Sequence, residues 1–389
     1  MRAATPPLLR SLNVQAILRV LHATGPLSRT ELARQVNISG PTTAGIVDEL
    51  VEAGWLEVAG DAVPSGGRPA RAVALNADSA EVIAVDVGGS RIKAGRFNLQ
   101  GVLTQERIVT TELTGTTHQV ADLLRELSTN TAQLRCIVVG APGFVQDGVV
   151  VEAANIPEWR DVPLVETLRT AVDGHYLIDN DVNLAALGEA RCGAGRDVGN
   201  LVFVTLGTGI GAGILVNHQL IRGAAGAAGE VGFLVPDRDL LDQLRGPGGA
   251  LEARASTVGL GRLWEERTHT AASAPEIVSA ARAGSESAQA VVRDWTRYLA
   301  SALIAVSTVV NPERVILGGG GGAAFDLLAP DLTTLLARHL PFPPELAPSA
   351  LGDRAALYGG LDLGMAWLLE AIPHRLAEAR RANRNYQEI

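Results

Sequence analysis

The sequence predicts an α/β protein in which a small helical unit precedes a larger, duplicated α/β domain. Residues 1–76 have the pattern of three short helices and a hairpin, and buried strands that end in glycine turns recur from Val82 onward. A length of 389 residues favours two or three domains. We expect domains at 1–76 and 77–389, the second having lobes of roughly 77–185 plus the C-terminal helix, and 186–355.

Composition excludes several classes of protein. Apolar residues make up 47% of the chain, as in ordinary soluble α/β proteins, and no uninterrupted apolar run approaches the roughly 18 residues of a membrane span. The N-terminus lacks a hydrophobic signal core, and two cysteines, Cys136 and Cys192, make no disulfide framework. These features predict a cytoplasmic protein without a membrane partner.

The first segment carries the signals of three consecutive helices and a hairpin. Apolar residues recur at helical spacing over 13–23, and Ser28 with Glu31 three residues later forms a capping-box pattern for a second helix. A third helix starts near Pro41, and the segments WLEVAG and RAVAL flank the glycine-rich tip of a hairpin. This order is typical of a winged helix-turn-helix, a DNA-binding unit. A small helical interaction domain is the alternative.

The start of the third helix and the hairpin tip are the candidate DNA contacts. A recognition helix enters the major groove with its N-terminal residues near base edges, and a basic tip suits phosphates or a narrow minor groove. Residues 1–76 have a net charge of +1 while the rest of the chain carries −10, so only this segment has a charge balance suited to DNA. The predicted DNA-binding residues are Ser39, Pro41, Thr42, Thr43, Arg68 and Arg71.

Two glycine-turned hairpins indicate that the larger domain is duplicated. VIAVDVGG is a buried strand that runs into a tight turn, and LVFVTLGTGIGAGILV repeats this pattern further along the chain. Helical segments follow both hairpins, among them a long one at 288–310. Two such modules predict an α/β domain with a ligand cleft between its halves.

Seven motifs follow one another along the chain: LSRTELARQVNISGPTTAGIVDELVEAGWL, GGRPARAVALN, AVDVGGSRIKAG, GAPGFV, IDNDVNLAALGEA, VTLGTGIGAGI and GAAGEVGF. In this order they resemble the ROK family (repressor, open reading frame, kinase), in its regulator branch with an N-terminal winged helix. The resemblance spans essentially the whole chain. It implies a two-lobed, actin-like sugar-kinase (ribonuclease H-like) fold, commonly a homodimer or homotetramer. The family contains sugar kinases and sugar-responsive transcription factors.

The resemblance implies sugar-binding residues at five positions. Asp181 matches the family's catalytic Asp, a carboxylate that could accept the sugar hydroxyl proton in a kinase. Asn155 and Asn180 match positions that bind sugar hydroxyls, and Glu230 and Glu252 match two acids that hold the sugar ring. Asn180 and Asp181 also fit a simple helix cap, and surface exposure is the alternative for Glu252.

The two glycine turns, with an acid and the only lysine of the chain, form the candidate phosphate site. Asp86 would orient Mg²⁺, and the backbone of the turns would approach the phosphate oxygens. Glycine also closes tight turns for structural reasons, so each turn alone is a weak signal. The candidate phosphate- and nucleotide-binding residues are Asp86, Gly88, Gly89, Ser90, Lys93, Gly207, Thr208, Gly209, Gly211, Gly319 and Gly320. ATP and Mg²⁺ are expected only if kinase activity is retained.

The sequence departs from the family at its zinc site. The resemblance implies a His after the Glu-x-Gly motif and three cysteines further on, whereas Phe233, Gln243, Arg245 and Ala250 occupy those positions here. No cysteine follows Cys192, so none can substitute nearby. Because Zn²⁺ needs three or four N or S ligands in tetrahedral reach, we expect no zinc and an altered sugar pocket. We expect no other metal site besides that of the Mg²⁺ that would accompany ATP in a kinase.

Two functions are open at this point. The first is a sugar-responsive regulator, more specifically a repressor, that binds an inverted-repeat operator and whose cleft binds a sugar or sugar-phosphate effector. The second is an ATP-dependent sugar kinase of the glucokinase type, alone or combined with DNA binding. The winged helix favours the regulator, while Asp86 and Asp181 keep the kinase open. The Arg-rich C-terminal segment is expected to be a helical, solvated tail.

Overall fold

The structure is a computed structural model that describes residues 6–61, 71–112, 114–153, 156–160, 162–241 and 248–387. Within these residues the chain forms a three-stranded sheet, two five-stranded sheets and a two-stranded hairpin, together with helices. The small sheet comes first along the chain and the two large sheets follow. The predicted fold class, an α/β protein with an N-terminal winged helix-turn-helix, is therefore confirmed.

The N-terminal unit consists of three helices and a small antiparallel sheet. Its elements are α1 Pro6–Thr24, β1 Leu27–Ser28, α2 Arg29–Val36, α3 Gly40–Glu52, β2 Leu56–Asp61 and β3 Arg71–Leu75, with strand order β1-β3-β2. Ser28 and Ser39 cap α2 and α3, each accepting the backbone N–H of the residue three positions later. The Glu31 carboxylate accepts from Arg34 and Gln35, so the predicted capping box is only half formed.

The first lobe is built on a five-stranded mixed sheet. Its elements are β4 Ala80–Val87, β5 Arg91–Asn98, β6 Leu103–Thr110, α4 Thr116–Leu127, β7 Leu134–Ala141, β8 Phe144–Gln146, β9 Val149–Glu152, α5 Leu164–Arg169, β10 His175–Asn180 and α6 Asp181–Cys192. The strand order is β10-β7-β4-β5-β6, in which β4, β7 and β10 are parallel and β5 is antiparallel to both of its neighbours. The three parallel strands therefore end at one edge of the sheet.

The second lobe repeats this plan. Its elements are β11 Leu201–Leu206, β12 Ile210–Val216, β13 Gln219–Leu220, α7 Glu252–Ala255, α8 Thr257–Thr268, α9 Ala274–Arg282, α10 Glu286–Val310, β14 Arg314–Gly318, α11 Gly319–Gly322, α12 Phe325–His339 and β15 Glu345–Pro348. Numbered by position in the chain, both large sheets have the strand order 3-2-1-4-5. The duplication inferred from the glycine-turned hairpins is thus present.

Helix α13, Ala355–Gln387, closes the chain and packs between the other units. It lies against α6 so closely that a side chain at Gly188 would overlap the carbonyl oxygen of Ala355, and one at Gly359 would overlap that of Leu184. On its other side Gly364 faces Val82 of β4. The absence of side chains at these positions lets backbone meet backbone.

A single apolar core joins the winged helix to α13 and extends into both lobes. Buried residues from α1 and α3, such as Ile17 and Leu50, belong to the same cluster as Leu368 and Ile372 of α13. The Gln133 side chain of the first lobe also donates to the carbonyl of Ala53 at the end of α3, at 3.2 Å. The DNA-binding unit is therefore anchored to the first lobe.

Helix α13 also explains why the chain contains one segment of membrane-span character. In the residues that the structure describes, Gly352–Arg381 is the one stretch long and apolar enough to cross a membrane, and 61% of its apolar window is buried inside the protein. Its apolar residues face α6, β4 and the winged helix, which is the position of a core helix.

Candidate functional site

The ends of the parallel strands of the first lobe bring the predicted cleft residues together. Asp86 near the end of β4 and Asp179 in β10 both pair with Gly140 of β7, so they lie at the same level of the sheet. Asn180 ends β10 and Asp181 begins α6. Because the carboxyl ends of parallel strands share an edge, the acids converge on the mouth of the cleft.

Asn180 acts as the N-cap of α6. Its side-chain oxygen accepts from the N–H of Asn183 at 3.0 Å, and its amide nitrogen donates to the carbonyl of Gly143 at 2.9 Å. The Asp181 carboxylate accepts from the N–H of Val182 at 2.9 Å. Asn180 therefore caps α6, which is one of the two roles that the sequence allows for it. Asp181 is half-buried at the cleft.

Four predicted acids share one electrostatic environment. Burial, followed by the charges of Asp86 and Glu230, raises the pKa of Asp181 to about 8. Burial also raises the pKa of Asp86, against the lowering effect of Lys93, and it raises the pKa values of Glu230 and Glu252. Glu252 is half-buried, not a surface residue. A cluster of desolvated acids favours a ligand that offers hydroxyl donors.

Lys93 provides the counter-charge to the first acid. It is the cross-strand partner of Asp86 on β5, so both side chains lie on one face of the sheet, and Nζ lies 3.2 Å from Oδ2 of Asp86. Asp353, before α13, is 3.9 Å from the same nitrogen and was not predicted from the sequence. These residues border a cavity of about 80 Å³ that Asp181, Thr205 and Gly319 also line.

The first predicted phosphate turn, Gly88 to Ser90, is closed by backbone and hydroxyl contacts. Gly88 donates to the carbonyl of Arg91 at 3.0 Å, and Thr111 donates its hydroxyl to the carbonyl of Gly88 at 2.7 Å. Gly88 and Gly89 are half-buried, and Ser90 is exposed. The turn is therefore held in a fixed shape with its outer edge accessible.

The second predicted turn carries Gly207, Thr208, Gly209 and Gly211. Gly207 donates to the carbonyl of Gly209 at 2.9 Å, and Thr208 is exposed. Glu252 accepts from the N–H of Ile210 at 3.2 Å, which ties the predicted sugar acid to this turn. Gly211 faces Val182 of α6, so its role in this structure is close packing.

Gly319 and Gly320 lie in α11, beside the end of β11. Both are exposed, and a side chain at Gly319, whose φ is +72°, would overlap Thr205 and the carbonyl of Leu206. Since β14 runs parallel to β11, this segment and the turn after β11 meet at one edge of the second sheet. The two edges of the duplicated sheets thus both carry glycine turns.

Of the residues at the zinc positions, the structure describes Phe233 and Ala250, and Ala250 is half-buried. Gln243 and Arg245 lie outside the described residues, as does Asn155. Phe233 stacks on Phe144 of the first lobe, with ring centroids 6.2 Å apart and 20° between the planes. In the described part of the chain no group of three or more His, Cys, Asp or Glu residues could hold a metal ion.

The predicted DNA-binding residues differ in their exposure. Ser39, Pro41 and Thr42 are exposed at the start of α3, and the hydroxyls of Ser39 and Thr42 lie 2.8 Å apart. Thr43 is fully buried in the helical core, so its side chain does not reach a base edge as predicted. It follows Thr42 by one position, about 100° around the helix, which turns it inward. Arg71 is exposed on β3. Arg68 lies outside the described residues.

The fold and cleft define a two-lobed, actin-like α/β protein with a winged helix-turn-helix at its N-terminus. The model of the ROK family matches residues 82–369, and that of a winged helix-turn-helix DNA-binding domain matches residues 11–57. The chain therefore belongs to the ROK family, and it carries the winged helix of the family's transcriptional regulators.

The chain is similar both to sugar kinases and to transcriptional regulators of known function. The chain is 33% identical over 318 residues to a glucokinase of Halalkalibacterium halodurans, covering 74% of this chain and 94% of that protein. It is 26% identical over 383 residues to a xylose repressor of Caldicellulosiruptor bescii, covering 90% and 95%. A crystal structure of a ROK family transcriptional regulator, a homologue of the E. coli Mlc protein, superposes with a TM-score of 0.76 at 20% identity, covering 95% and 98%.

The raised pKa of Asp181 predicts a pH-dependent effect of its replacement. Its pKa rises from 3.8 to about 8 on folding, so ionising it destabilises the folded state progressively as pH rises through that interval. Asp181→Asn should therefore have a higher melting temperature than wild type, and this gain should be larger at pH 9 than at pH 5.5. We expect the gain at pH 9 to exceed the gain at pH 5.5 by at least about 2 °C. Thermal unfolding followed by circular dichroism measures this. The exposed Asp239→Asn is the control, and an equal difference at both pH values would contradict the prediction.

Proposed function

We propose that this protein is a DNA-binding transcriptional regulator whose interlobe cleft binds a sugar or sugar-phosphate effector. The observation that carries the proposal is the shared core of the winged helix and α13, because α13 packs directly on α6, the helix that begins at Asp181. The similarity to the xylose repressor over 90% of this chain supports it. We place the DNA-binding domain at 1–76 and the sugar-kinase-like domain at 77–389.

The cleft chemistry supports a carbohydrate effector. Asp181, Glu230 and Glu252 all have raised pKa values, and a protonated or ionised carboxyl can bind the vicinal hydroxyls of a sugar. Lys93 and the glycine turn beside Asp86, whose outer residue Ser90 is exposed, are suited to a phosphate group at the other end of the cleft. Relatives named glucokinase and xylose repressor support hexoses and pentoses as the first ligands to test.

DNA recognition would use the exposed start of α3. Ser39, Pro41 and Thr42 are the exposed side chains there, and Arg71 lies on the wing strand. Two such units in a homodimer or homotetramer would read an inverted repeat with half-sites about one or two helical turns apart. A protein of this kind works in the cytoplasm, as a repressor in our proposal.

The effector signal would reach the DNA-binding unit through α13. Helix α6 and α13 are joined by backbone contact at Gly188 and by the ion pair of Arg191 with Asp362 at 3.2 Å. Near its other end, α13 binds the recognition helix α3 through Arg380, which pairs with Glu49. Arg10 of α1 binds the same carboxylate at 2.6 Å. A shift of α6 would therefore move the winged helix-turn-helix.

An ATP-dependent sugar kinase is the alternative, and the acids of the cleft are the observation in its favour. In a ROK kinase, bound ATP would supply the phosphoryl group and Mg²⁺ would neutralise the phosphate charge, and Asp86 is the residue that would hold the metal. Asp181, with a pKa near 8, would be an effective base close to neutral pH. The cavity of about 80 Å³ is smaller than the roughly 300–1,000 Å³ of ligand pockets, so the lobes would have to open for a nucleotide.

Operator binding tests the proposed function directly. Thr42→Glu places a negative charge at the exposed start of α3, where it would repel phosphates, and should weaken operator binding about tenfold or more. Fluorescence anisotropy on the duplex that wild type selects from a randomised library measures this. Thr308→Glu, an exposed threonine on α10, is the matched control and should bind like wild type. Unchanged operator binding by Thr42→Glu would exclude this surface.

A coupled assay for ADP release, with Mg²⁺, ATP and a panel of sugars, separates the regulator from the kinase. For a regulator we expect wild type to release no more ADP than Asp181→Asn, which lacks the base. Thermal shifts with the same sugars record binding independently of turnover. Sugar-dependent turnover that Asp181→Asn abolishes would establish the kinase alternative.

The α13 connection predicts that Arg380→Met reduces the effect of sugar on DNA binding. Removing the guanidinium eliminates the ion pair between α3 and α13 and leaves their apolar packing and the cleft intact, so the sugar affinity should stay the same. The ratio of operator affinities with and without sugar should fall several-fold, since couplings of this kind are about 1–3 kcal/mol. Arg375→Met, on the same helix and paired with Glu378 of that helix, is the control. An undiminished sugar effect in Arg380→Met would rule out this route.

A further inference from the structure

One ion pair joins the second lobe to β10, the strand of the first lobe that leads to Asp181. Arg222, which follows β13 of the second lobe, donates from Nε at 3.0 Å and from Nη2 at 2.5 Å to Oδ2 of Asp179. The other oxygen of Asp179 accepts from the N–H of Asn180 at 2.8 Å and from the side chain of Asn183 at 3.2 Å. Both oxygens of this buried carboxylate are therefore used, one by each lobe.

The segment that starts at Arg222 leads directly to a predicted sugar acid. The carbonyl of Arg222 accepts from the N–H of Ala228 at 3.1 Å, which closes a short loop. Within it Gly226 (φ +71°) meets the carbonyl of Val145 in the first lobe with no room for a side chain. The next residues reach Glu230, so the loop is held against the first lobe on its way to the cleft.

The chain segments that follow Asp179 and Arg222 both lead to acids of the cleft. The charge of Glu230 contributes to raising the pKa of Asp181, which places the two carboxyl groups in the same electrostatic neighbourhood. Asp179 precedes Asn180 and Asp181 in the chain, and Arg222 lies eight residues before Glu230. The ion pair of Arg222 with Asp179 thus joins the segment that carries Asp181 in the first lobe to the segment that carries Glu230 in the second.

We propose that Arg222 and Asp179 form a positioning pair that sets Glu230 against Asp181 and thereby determines the affinity of the cleft for its sugar. This inference rests on the proposed function, since it assigns the pair a role in that site. Neither residue needs to contact the sugar. A guanidinium is suited to the task because its planar donors fix the direction of the bond as well as its length.

Arg222→Met tests the pair, because it keeps most of the side-chain length and removes the donors. Isothermal titration with D-glucose, D-xylose and their phosphates should show sugar affinity at least about tenfold weaker than wild type, since ordering the acids then costs binding energy. Arg222→Lys should recover part of that loss. Asp179→Asn combined with Arg222→Met should be no weaker than the single variants, as expected for one shared interaction.

Two further measurements separate positioning from simple stabilisation. Hydrogen exchange of residues 222–233 in the ligand-free protein should accelerate in Arg222→Met. Operator binding without sugar should stay within about twofold of wild type. Arg282→Met is the control, because Arg282 makes a similar two-donor pair with Asp326 on the far side of the second lobe. It should leave sugar affinity unchanged.

The outcomes distinguish this inference from the function on which it rests. A lower melting temperature in Arg222→Met with wild-type sugar affinity would overturn the positioning role and leave the regulator intact. Unchanged hydrogen exchange over 222–233 would overturn it as well. Wild type that binds none of the sugars would overturn the proposed function itself, and this inference with it.

Discussion

The contact between α6 and α13 is the constraint on which the rest of the architecture depends. Because Gly188 and Gly359 have no side chains, the two helices meet backbone to backbone, and neither can slide without breaking that packing. Helix α6 lies on the second lobe, where Gly213 faces Ala186, and α13 lies on the first, where Gly364 faces Val82. The helix pair is therefore the common wall of both lobes.

The acids of the second lobe are held in place by close backbone packing. Gly249 (φ +87°) meets the backbone of Gly232, and Leu251 donates to the carbonyl of Leu234 at 3.1 Å. The ring of Phe233 adds a stacking contact to the first lobe. The loop after Glu230 and the segment that leads into Glu252 are thus joined by backbone contacts that leave no room for a side chain at Gly249. The Phe233 ring joins the same loop to the first lobe.

Local features of the fold were predictable from the sequence, whereas contacts distant in the chain were not. The serine caps of α2 and α3 and the repeated strand-and-glycine pattern depend on residues only a few positions apart, so their sequence signal is strong. The pairing of Arg222 with Asp179 joins residues 43 apart, and that of Arg380 with Glu49 joins residues 331 apart. The C-terminal segment is not the fully solvated tail that the sequence predicts, because Arg380 binds Glu49 of α3. Only the folded chain brings such residues together.

Thr43 shows the limit of reasoning from residue type alone. A hydroxyl near the start of a recognition helix is typical of a DNA contact, but the helical period turns this one into the core, where it is fully buried. The same limit applies to Asn180, whose amide matches a sugar-binding position and serves as a helix cap. Burial excludes a DNA contact for Thr43, whereas the cap accounts for two hydrogen bonds of Asn180 and its sugar contact stays a prediction.

Under the proposed function, the anchoring of the winged helix determines what a ligand can change. The winged helix contacts the first lobe directly, because the side chains of Gln133 and Gln100 donate to the carbonyls of Ala53 and Leu75. In this proposal the DNA-binding unit therefore moves with that lobe. A sugar held by Asp181 on one side and Glu230 on the other would draw the lobes together and turn the DNA-binding unit relative to the second lobe. A ligand can shift such an equilibrium only by its difference in affinity for the two lobe arrangements. The geometry of the acids is therefore the quantity that sets the strength of regulation.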